Sequence, residues 1–354
     1  MPNCNEISRD QWLRECFPEW GRWLIEDIEE TKPRAGSFAM WWMGCTGIWI
    51  KSEGGCNVSI DMFSGNGRTS HDTTGIRKGM DYQMGRMSGS NETHLNPRNI
   101  PHVIDPFAIK EIDAFCATHD HLDHMDPYSS AAILKLPDVP FIGPKFCAEK
   151  WKSWGVPEDR IREVKPGDTL KIKDTEITAL DSFDRTALIS PPPTGSIKGR
   201  FPGDMDDRAV NYLVRTPGGS LYHGGDSQFS NYFLRHGKMH NIDVAIAAFS
   251  ENMKGIMDKM TSADVLRMAD NLGCKVIIPV HYDIWPPSYA DPNEIQVLYN
   301  FKKDRYDYKF KVFIWALGGK YTYPDDLPKN KYMYPRGFPD AMEEEPNIPY
   351  KAFL

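Results

Sequence analysis

The chain has 354 residues, with 42 Lys and Arg against 49 Asp and Glu, giving a formal charge of −7. That balance, with a pI near 5.8, argues against a protein that grips nucleic acid through a basic surface. A 40% hydrophobic, 26% charged composition is globular rather than disordered, and no run reaches the roughly 18–20 apolar residues of a membrane span.

The opening MPNCNEISRDQWLREC lacks the apolar core of an export signal, so a cytoplasmic protein is expected. Residues 7–31 form an amphipathic helical region whose apolar side is Trp12, Phe17, Trp20, Trp23 and Ile28. Two strand-like runs follow, Phe38–Lys51 and Asn57–Phe63, separated by a turn at Gly54-Gly55. Residues 64–100 are polar and rich in Gly and Asn, which predicts an inserted loop region. A short apolar run, Ile112–Thr118, ends in a burst of polar side chains. Runs at 161–164, 169–173 and 175–181 predict a meander, and 210–215 with 220–223 a hairpin through Pro217-Gly218-Gly219. Ile242–Phe249 and Lys275–Val280 are buried strands in this reading. Helices are expected over Thr261–Leu272, which opens with a capping arrangement and stops at Gly273, and over Pro292–Lys303. A closing hairpin is expected at 311–316 and 320–323. Strand clusters alternating with helices predict two sheets face to face with helices outside.

The chemistry concentrates at Thr118-His119-Asp120-His121-Leu122-Asp123-His124. Three of the ten histidines fall within six residues. His119 and His121 lie two apart, so in extended chain both rings point to one side. A turn into a helix would bring Asp123 and His124 under the same spot, which is the ligand supply of a dinuclear metal centre. The seven cysteines are odd in number and without a CxxC pair, the pattern of free thiols in a reducing compartment with only a structural part to play.

This HxHxDH stretch resembles the signature of the metallo-β-lactamase superfamily. The resemblance implies an α/β fold, the αββα sandwich of two mixed sheets, as one domain over 1–354. The N-terminal helical region (about 7–31), the insertion (about 64–100) and a C-terminal extension (about 320–354) elaborate it. It also implies ligands downstream: Asp226 in the step Gly225-Asp226, as the bridge between two ions, and His281 after a strand. Where the family has a third histidine this chain has Asp181-Ser182-Phe183-Asp184-Arg185. Asp184 is the substitute expected there, with Asp181 second. Exchanging imidazole for carboxylate hardens that position, which favours Mn²⁺ and permits Zn²⁺, with two ions per chain.

Longer segments, among them FAMWWMGCTGIWIKSEGG, DSFDRTALI, DDRAVNYLVRTPGGSLYHGGDS and DKMTSAD, are similar to the family of L-ascorbate-6-phosphate lactonases. That likeness implies a metal-dependent ester hydrolase of sugar-acid catabolism whose partner is a small phosphorylated lactone, opened by metal-activated water, with Asp123 and Asp226 as the catalytic carboxylates. Arg185, Arg208, Lys259 and Arg336 are the candidate holders of the phosphate, and His223 and Asp181 candidate supports behind the ligands. His71, His94 and His102 read as surface residues, and His236 and His240 as loop positions. Aromatic content suggests a homo-oligomer. Two alternatives share such a site: a phosphodiesterase for a small cyclic phosphodiester, and a metal-binding protein without turnover.

Overall fold

The computed structural model describes residues 2–19, 24–68, 95–189, 204–252 and 257–334. Strand β1 (Phe38–Gly44) is buried on both faces because its alternate residues are apolar in both phases. Phe38, Met40 and Trp42 enter one core cluster, and Ala39, Trp41 and Met43 another, the two-residue period of a pleated strand. Strands β2 (Gly47–Ser52) and β3 (Asn57–Ile60) follow in antiparallel register. A minor pair, β4 (Gly67–Arg68) and β5 (Asn96–Pro97), precedes β6 (Ala114–Cys116), β7 (Phe141–Gly143) and β8 (Ile161–Glu163), which extend the sheet in parallel from β3.

The second sheet contains β9 (Thr169–Ile172), β10 (Thr175–Asp181), β11 (Val210–Thr216), β12 (Gly219–His223), β13 (Val244–Ala248), β14 (Val276–Val280) and β15 (Lys311–Val312), while β16 (Lys320–Tyr323) returns to the first. The sheet orders are β16-β1-β2-β3-β6-β7-β8 and β15-β14-β13-β12-β11-β10-β9. Met40, Ile60, Ile177, Tyr212, Ile246 and Ile278 belong to the core shared by the two sheets. Trp12, Ile28, Tyr128 and Trp151 bring the helices Arg9–Cys16, Leu24–Glu30, Pro127–Leu134 and Lys145–Ser153 onto the other face of the first sheet. The helix Ser262–Leu272 has the expected start and stop, a reciprocal Thr261–Asp264 capping box and Gly273 at φ 60°. The architecture is the expected α/β sandwich. No helix among the described residues is long and apolar enough to cross a membrane.

Several local expectations are corrected. The run Phe38–Lys51 is a hairpin, broken at Cys45, whose φ of 52° ends β1. The meander at 161–181 is divided between sheets: β8 pairs with β7 in the first and β9 with β10 in the second. The closing hairpin is also divided, β15 lying parallel to β14 and β16 antiparallel to β1. In both cases strands form within the expected runs, although β15 covers only Lys311–Val312 of 311–316, but adjacent runs pair with different sheets, which local pattern does not encode. Phe17 is exposed at the left-handed end of its helix instead of joining the apolar side, and Trp20 and Trp23 lie outside the described residues.

His102 is buried, not superficial. Its Nε2–H donates to the Ser64 carbonyl at 3.1 Å, and its ring meets Trp12 edge-on. Burial, with Arg98 nearby, holds the imidazole down to about 2. The unfolded chain therefore takes up a proton near pH 6.5 that the folded chain refuses. Stability at this position is full above that pH and is lost below it, by up to about 1.4 kcal/mol per unit. Substituting His102→Gln is expected to flatten the fall of the unfolding midpoint between about pH 6.5 and 4.5; an unchanged slope would show that His102 does not set it. His236 is likewise not in a loop but buried in the helix Phe233–Met239. His71 and His94 lie outside the described residues.

Candidate metal centre

One edge of the sandwich gathers the ends of five strands. β6 runs directly into Thr118–His124, β10 into Asp184, β12 into Asp226, β14 into His281, and β3 ends at Asp61. Two backbone features make the approach possible. Gly225 has φ 50°, and a Cβ there would stand 3.0 Å from the Thr118 side chain, so only glycine lets the Asp226 loop close on β6. His281 itself has φ 73°, a costly conformation held by its N–H donating to the Cys45 carbonyl at 3.1 Å.

The expected side chains converge. His119 Nε2 is 2.7 Å from His121 Nδ1, 3.7 Å from Asp184 Oδ2 and 3.9 Å from Asp226 Oδ2. On the other side of Asp226, His124 Nε2 is 3.3 Å from its Oδ2 and His281 Nε2 3.6 Å from its Oδ1. Asp123 lies 3.8 Å from His124 Nε2 and 3.5 Å from His281 Nε2. Two groups capable of holding an ion result: His119, His121 and Asp226, and Cys45, Asp123, His124 and His281.

A buried network aims these rings. The His119 Nδ1–H donates to Thr118 Oγ1 at 3.0 Å, and the Thr118 hydroxyl donates to Asp61 Oδ2 at 2.7 Å. The His124 Nδ1–H donates to the same Asp61 oxygen at 2.8 Å. Both histidines therefore present Nε2 as a lone pair to the centre, the arrangement in which a second carboxylate orients a metal-binding imidazole. Asp184 is divided in the same sense. Its Oδ1 accepts from Thr186 N, Thr186 Oγ1 and Ala187 N at 2.9, 2.6 and 3.1 Å. Its Oδ2 is buried and has no hydrogen-bond partner among the described residues, as is true of Asp226 Oδ1. Bare buried carboxylate oxygens are costly unless a cation meets them, so the donor set fits a divalent metal.

The electrostatics agree. Burial and the neighbouring Asp226 charge push the Asp184 carboxyl up to about 7. Burial also works against the Asp226 charge, but His124, Lys259 and His281 outweigh it and hold that carboxyl well below the usual range. Burial and His124 hold His119 down to about 4. His124 moves well above its ordinary value against burial, under Asp226 and Asp123. A field that draws protons onto buried imidazoles also draws cations that displace those protons.

The remaining candidates separate. Lys259 is not a remote phosphate holder: its ammonium is buried and stands 2.7 Å from Asp226 Oδ2 and 3.0 Å from Asp258 Oδ2. Arg208 is buried, donating to the Ala187 carbonyl at 2.6 Å and lying over the Phe146 ring, so its guanidinium is structural. Arg185 is exposed beside Asp184, and Arg336 lies outside the described residues. Asp181 is half-exposed and paired with His236 at 3.2 Å, not behind a ligand. A side chain two residues along a strand from a buried neighbour faces solvent only where the strand end opens, which spacing cannot show. His223 supports the centre by another route than a ligand carboxylate. Its Nε2–H donates to the Thr46 carbonyl at 2.8 Å, and Nδ1 accepts from Gly225 N–H at 3.3 Å.

Sequence reasoning missed Asp61, Thr46, Cys45 and Trp285. The one available signal for Asp61 was an acidic residue closing an apolar strand run. Trp285 Nε1–H donates to Asp123 Oδ2 at 2.9 Å, and nothing in its local sequence marks it.

The fold and site define a hydrolase of the β-lactamase superfamily: residues 92–282 match the family model described as a beta-lactamase superfamily domain. Solved structures agree at the level of fold. An isothiocyanate hydrolase from Delia radicum gut bacteria aligns with a TM-score of 0.58 at 17% identity, covering 80% of this chain and 98% of that one. Igni18, a metallo hydrolase from Ignicoccus hospitalis KIN4/I, aligns at 0.53 and 17%, covering 81% and 98%. Over its whole length the chain is 54% identical to the "Probable L-ascorbate-6-phosphate lactonase UlaG" of Escherichia coli O127:H6 (strain E2348/69 / EPEC), with 100% of both chains covered. The same identity and coverage hold for the protein of that name from Escherichia coli O139:H28 (strain E24377A / ETEC). The chain belongs to this family of the β-lactamase superfamily.

Proposed function

We propose that the protein is a cytoplasmic L-ascorbate-6-phosphate lactonase, working as one domain, that opens its substrate to 3-keto-L-gulonate 6-phosphate. The observation that carries this reading is the 54% identity sustained over the entire chain to relatives of that name, with the converged ligand set as its chemical support. His119, His121 and Asp184 would hold one divalent ion and Asp123, His124 and His281 a second, with Asp226 between them. The carboxylate at the third histidine's position favours Mn²⁺ there, with Zn²⁺ permitted. When bound, such ions would supply Lewis acidity and lower the pKa of water to near neutrality.

The protein's own groups do the rest. Asp123 is the most open of these side chains, at 17% exposed, and Trp285 fixes its plane through Oδ2. Its carboxylate takes a proton from the attacking water and returns it to the ring oxygen as the acyl C–O bond breaks, one water being consumed per lactone. Asp226 orders the centre and is itself held by the buried Lys259 ammonium. Arg185, exposed beside Asp184, is the cation assigned to the phosphate.

The test is turnover of ascorbate 6-phosphate beside ascorbate, before and after chelation. Turnover should vanish on chelation and return with Mn²⁺, and kcat/KM should favour the phosphorylated lactone by at least about 10²-fold. Equal rates on the two lactones, or activity that survives chelation, would sink the reading. A second comparison concerns the carboxylates after β10. Asp184→Ala should lose bound metal and activity, while Asp181→Ala retains both within about twofold, the scale of a surface substitution; the reverse order would show that Asp181 is the ligand. Homo-oligomerisation belongs to the same proposal, supported by exposed Val297 and Phe301 one turn apart on a helix. Light scattering that gives a monomer mass would overturn it.

A further inference from the structure

All seven cysteines are buried and none forms a disulfide, and six have no place in the centre. Cys45 does. It sits in the turn between β1 and β2 at φ 52°, a region that non-glycine residues seldom occupy. Its carbonyl accepts from Trp42 Nε1–H at 2.8 Å and from His281 N–H at 3.1 Å. The turn is thus tied to both sheets, and the side chain is directed at the metal-binding cluster. Its Sγ is 3.8 Å from Asp123 Oδ2 and 4.0 Å from His124 Nε2. Sγ, an Asp123 oxygen and ring nitrogens of His124 and His281 all lie within 4.8 Å of one another.

A second observation points to the same place. His281 is 2% exposed, and neither of its ring nitrogens is hydrogen-bonded to any described residue. Its nearest carboxylate oxygens are 3.5 and 3.6 Å away. A buried imidazole directed at three other donors without a hydrogen bond to any of them is an arrangement that suits coordination of a shared cation. The spacing suits one. Bonds of about 2.3 Å to sulfur and about 2.0–2.1 Å to nitrogen at a tetrahedral angle separate those atoms by about 3.5 Å. Sγ stands only a few tenths of an ångström beyond that separation from Asp123 Oδ2 and from His124 Nε2.

We propose that Cys45 is a metal ligand at the Asp123–His124–His281 position, an inference that rests on the dinuclear reading above. Sulfur binds as thiolate, its proton passing to solvent as the bond to the ion forms. The two positions are then chemically unlike. His119, His121 and Asp184 offer only nitrogen and oxygen and suit Mn²⁺. The thiolate position selects a softer ion such as Zn²⁺ or Co²⁺. The protein thereby distinguishes its two ions by ligand type.

The experiment is cobalt loading of the metal-stripped full-length protein, followed by absorption spectroscopy and metal counting, with Cys45→Ser and Cys45→Ala in parallel. The expected result is two Co²⁺ per chain, one of them giving a thiolate-to-cobalt charge-transfer band in the near ultraviolet. Both variants lose that band, bind one of the two ions at least about tenfold more weakly, and show a smaller preference for Zn²⁺ over Mn²⁺ at that position. Two bound cobalt ions with no charge-transfer band in the unsubstituted protein would overturn the proposal, leaving the thiol as a prop for Asp123 and the dinuclear reading intact. A chain that binds no cobalt would remove the dinuclear reading and this inference with it. The band is read in the unsubstituted protein, so the outcome does not depend on the variants folding.

Discussion

Asp226→Ala is expected to empty the centre and lower kcat/KM by about 10³-fold or more, since this carboxylate lies among His119, His124, His281 and Lys259. Its Oδ2 lies within 3.3 Å of His124 Nε2 and 2.7 Å of Lys259 Nζ, and its Oδ1 within 3.6 Å of His281 Nε2. Removing one preorganised group at a reacting centre typically costs 10²–10³ in rate, and here the same change removes the group held to lie between two ions. It also leaves the Lys259 ammonium, only 4% exposed, with Asp258 as its remaining carboxylate. Breaking a buried pair from one side costs about 3 kcal/mol or more, so the metal-free variant should also unfold earlier. Metal counting by mass spectrometry, kinetics and a thermal melt together test this. A variant with two ions and more than a tenth of the activity would show that Asp226 is dispensable.

The second large effect falls on a residue that touches no expected substrate. Asp61 is fully buried, and its two oxygens accept from Thr118 N at 2.7 Å, Thr118 Oγ1 at 2.7 Å, Thr46 Oγ1 at 2.9 Å and His124 Nδ1 at 2.8 Å. Burial opposes its charge, yet His124 and the other histidines hold the carboxyl below its ordinary value. Asp61→Ala strands four buried donors. The expected loss is about 3 kcal/mol of stability and about 10–100-fold in metal affinity, through misaimed His124 and His119. Asp61→Asn tolerates the φ of 53° at this position and retains an acceptor for Thr118 N. It should recover most of the stability but not the affinity. Equal metal affinity in all three proteins would show that Asp61 only supports the fold.

These two residues mark the limits of what the chain's order makes legible. Asp226 was visible because the Gly225-Asp226 step has a family pattern around it. The same holds for His281, while His119, His121, Asp123 and His124 have short spacings that translate directly into shared faces. Asp184 was visible as a gap filled by the nearest suitable carboxylate. Asp61 lies 57 residues from Thr118 and 63 from His124, with only its position after an apolar strand to suggest a role. Cys45 looked like one more reduced thiol, since a lone cysteine in a glycine turn has no local signature. The cations fared worst. Lys259, Arg208 and Arg185 were indistinguishable as charges, yet one is bound to Asp226, one is stacked on Phe146 and one is exposed.

The sequence by itself determined the strand and helix runs, the capped helix Ser262–Leu272, the acidic but globular character and the cluster His119–His124. Apart from composition, these rest on local periodicity or short spacing, where a few neighbouring residues contain the whole signal. The tertiary structure alone decided which sheet β8, β15 and β16 would join, that Asp61 orients His124, that Cys45 faces the centre and that Lys259 meets Asp226. Those facts depend on contacts between segments far apart in the chain. Their energy comes from packing and buried charge pairing, which no stretch of local sequence specifies. The net charge of −7 is likewise sharpened, because Asp123, Asp184 and Asp226 are gathered at one cluster of histidines instead of being spread over the surface.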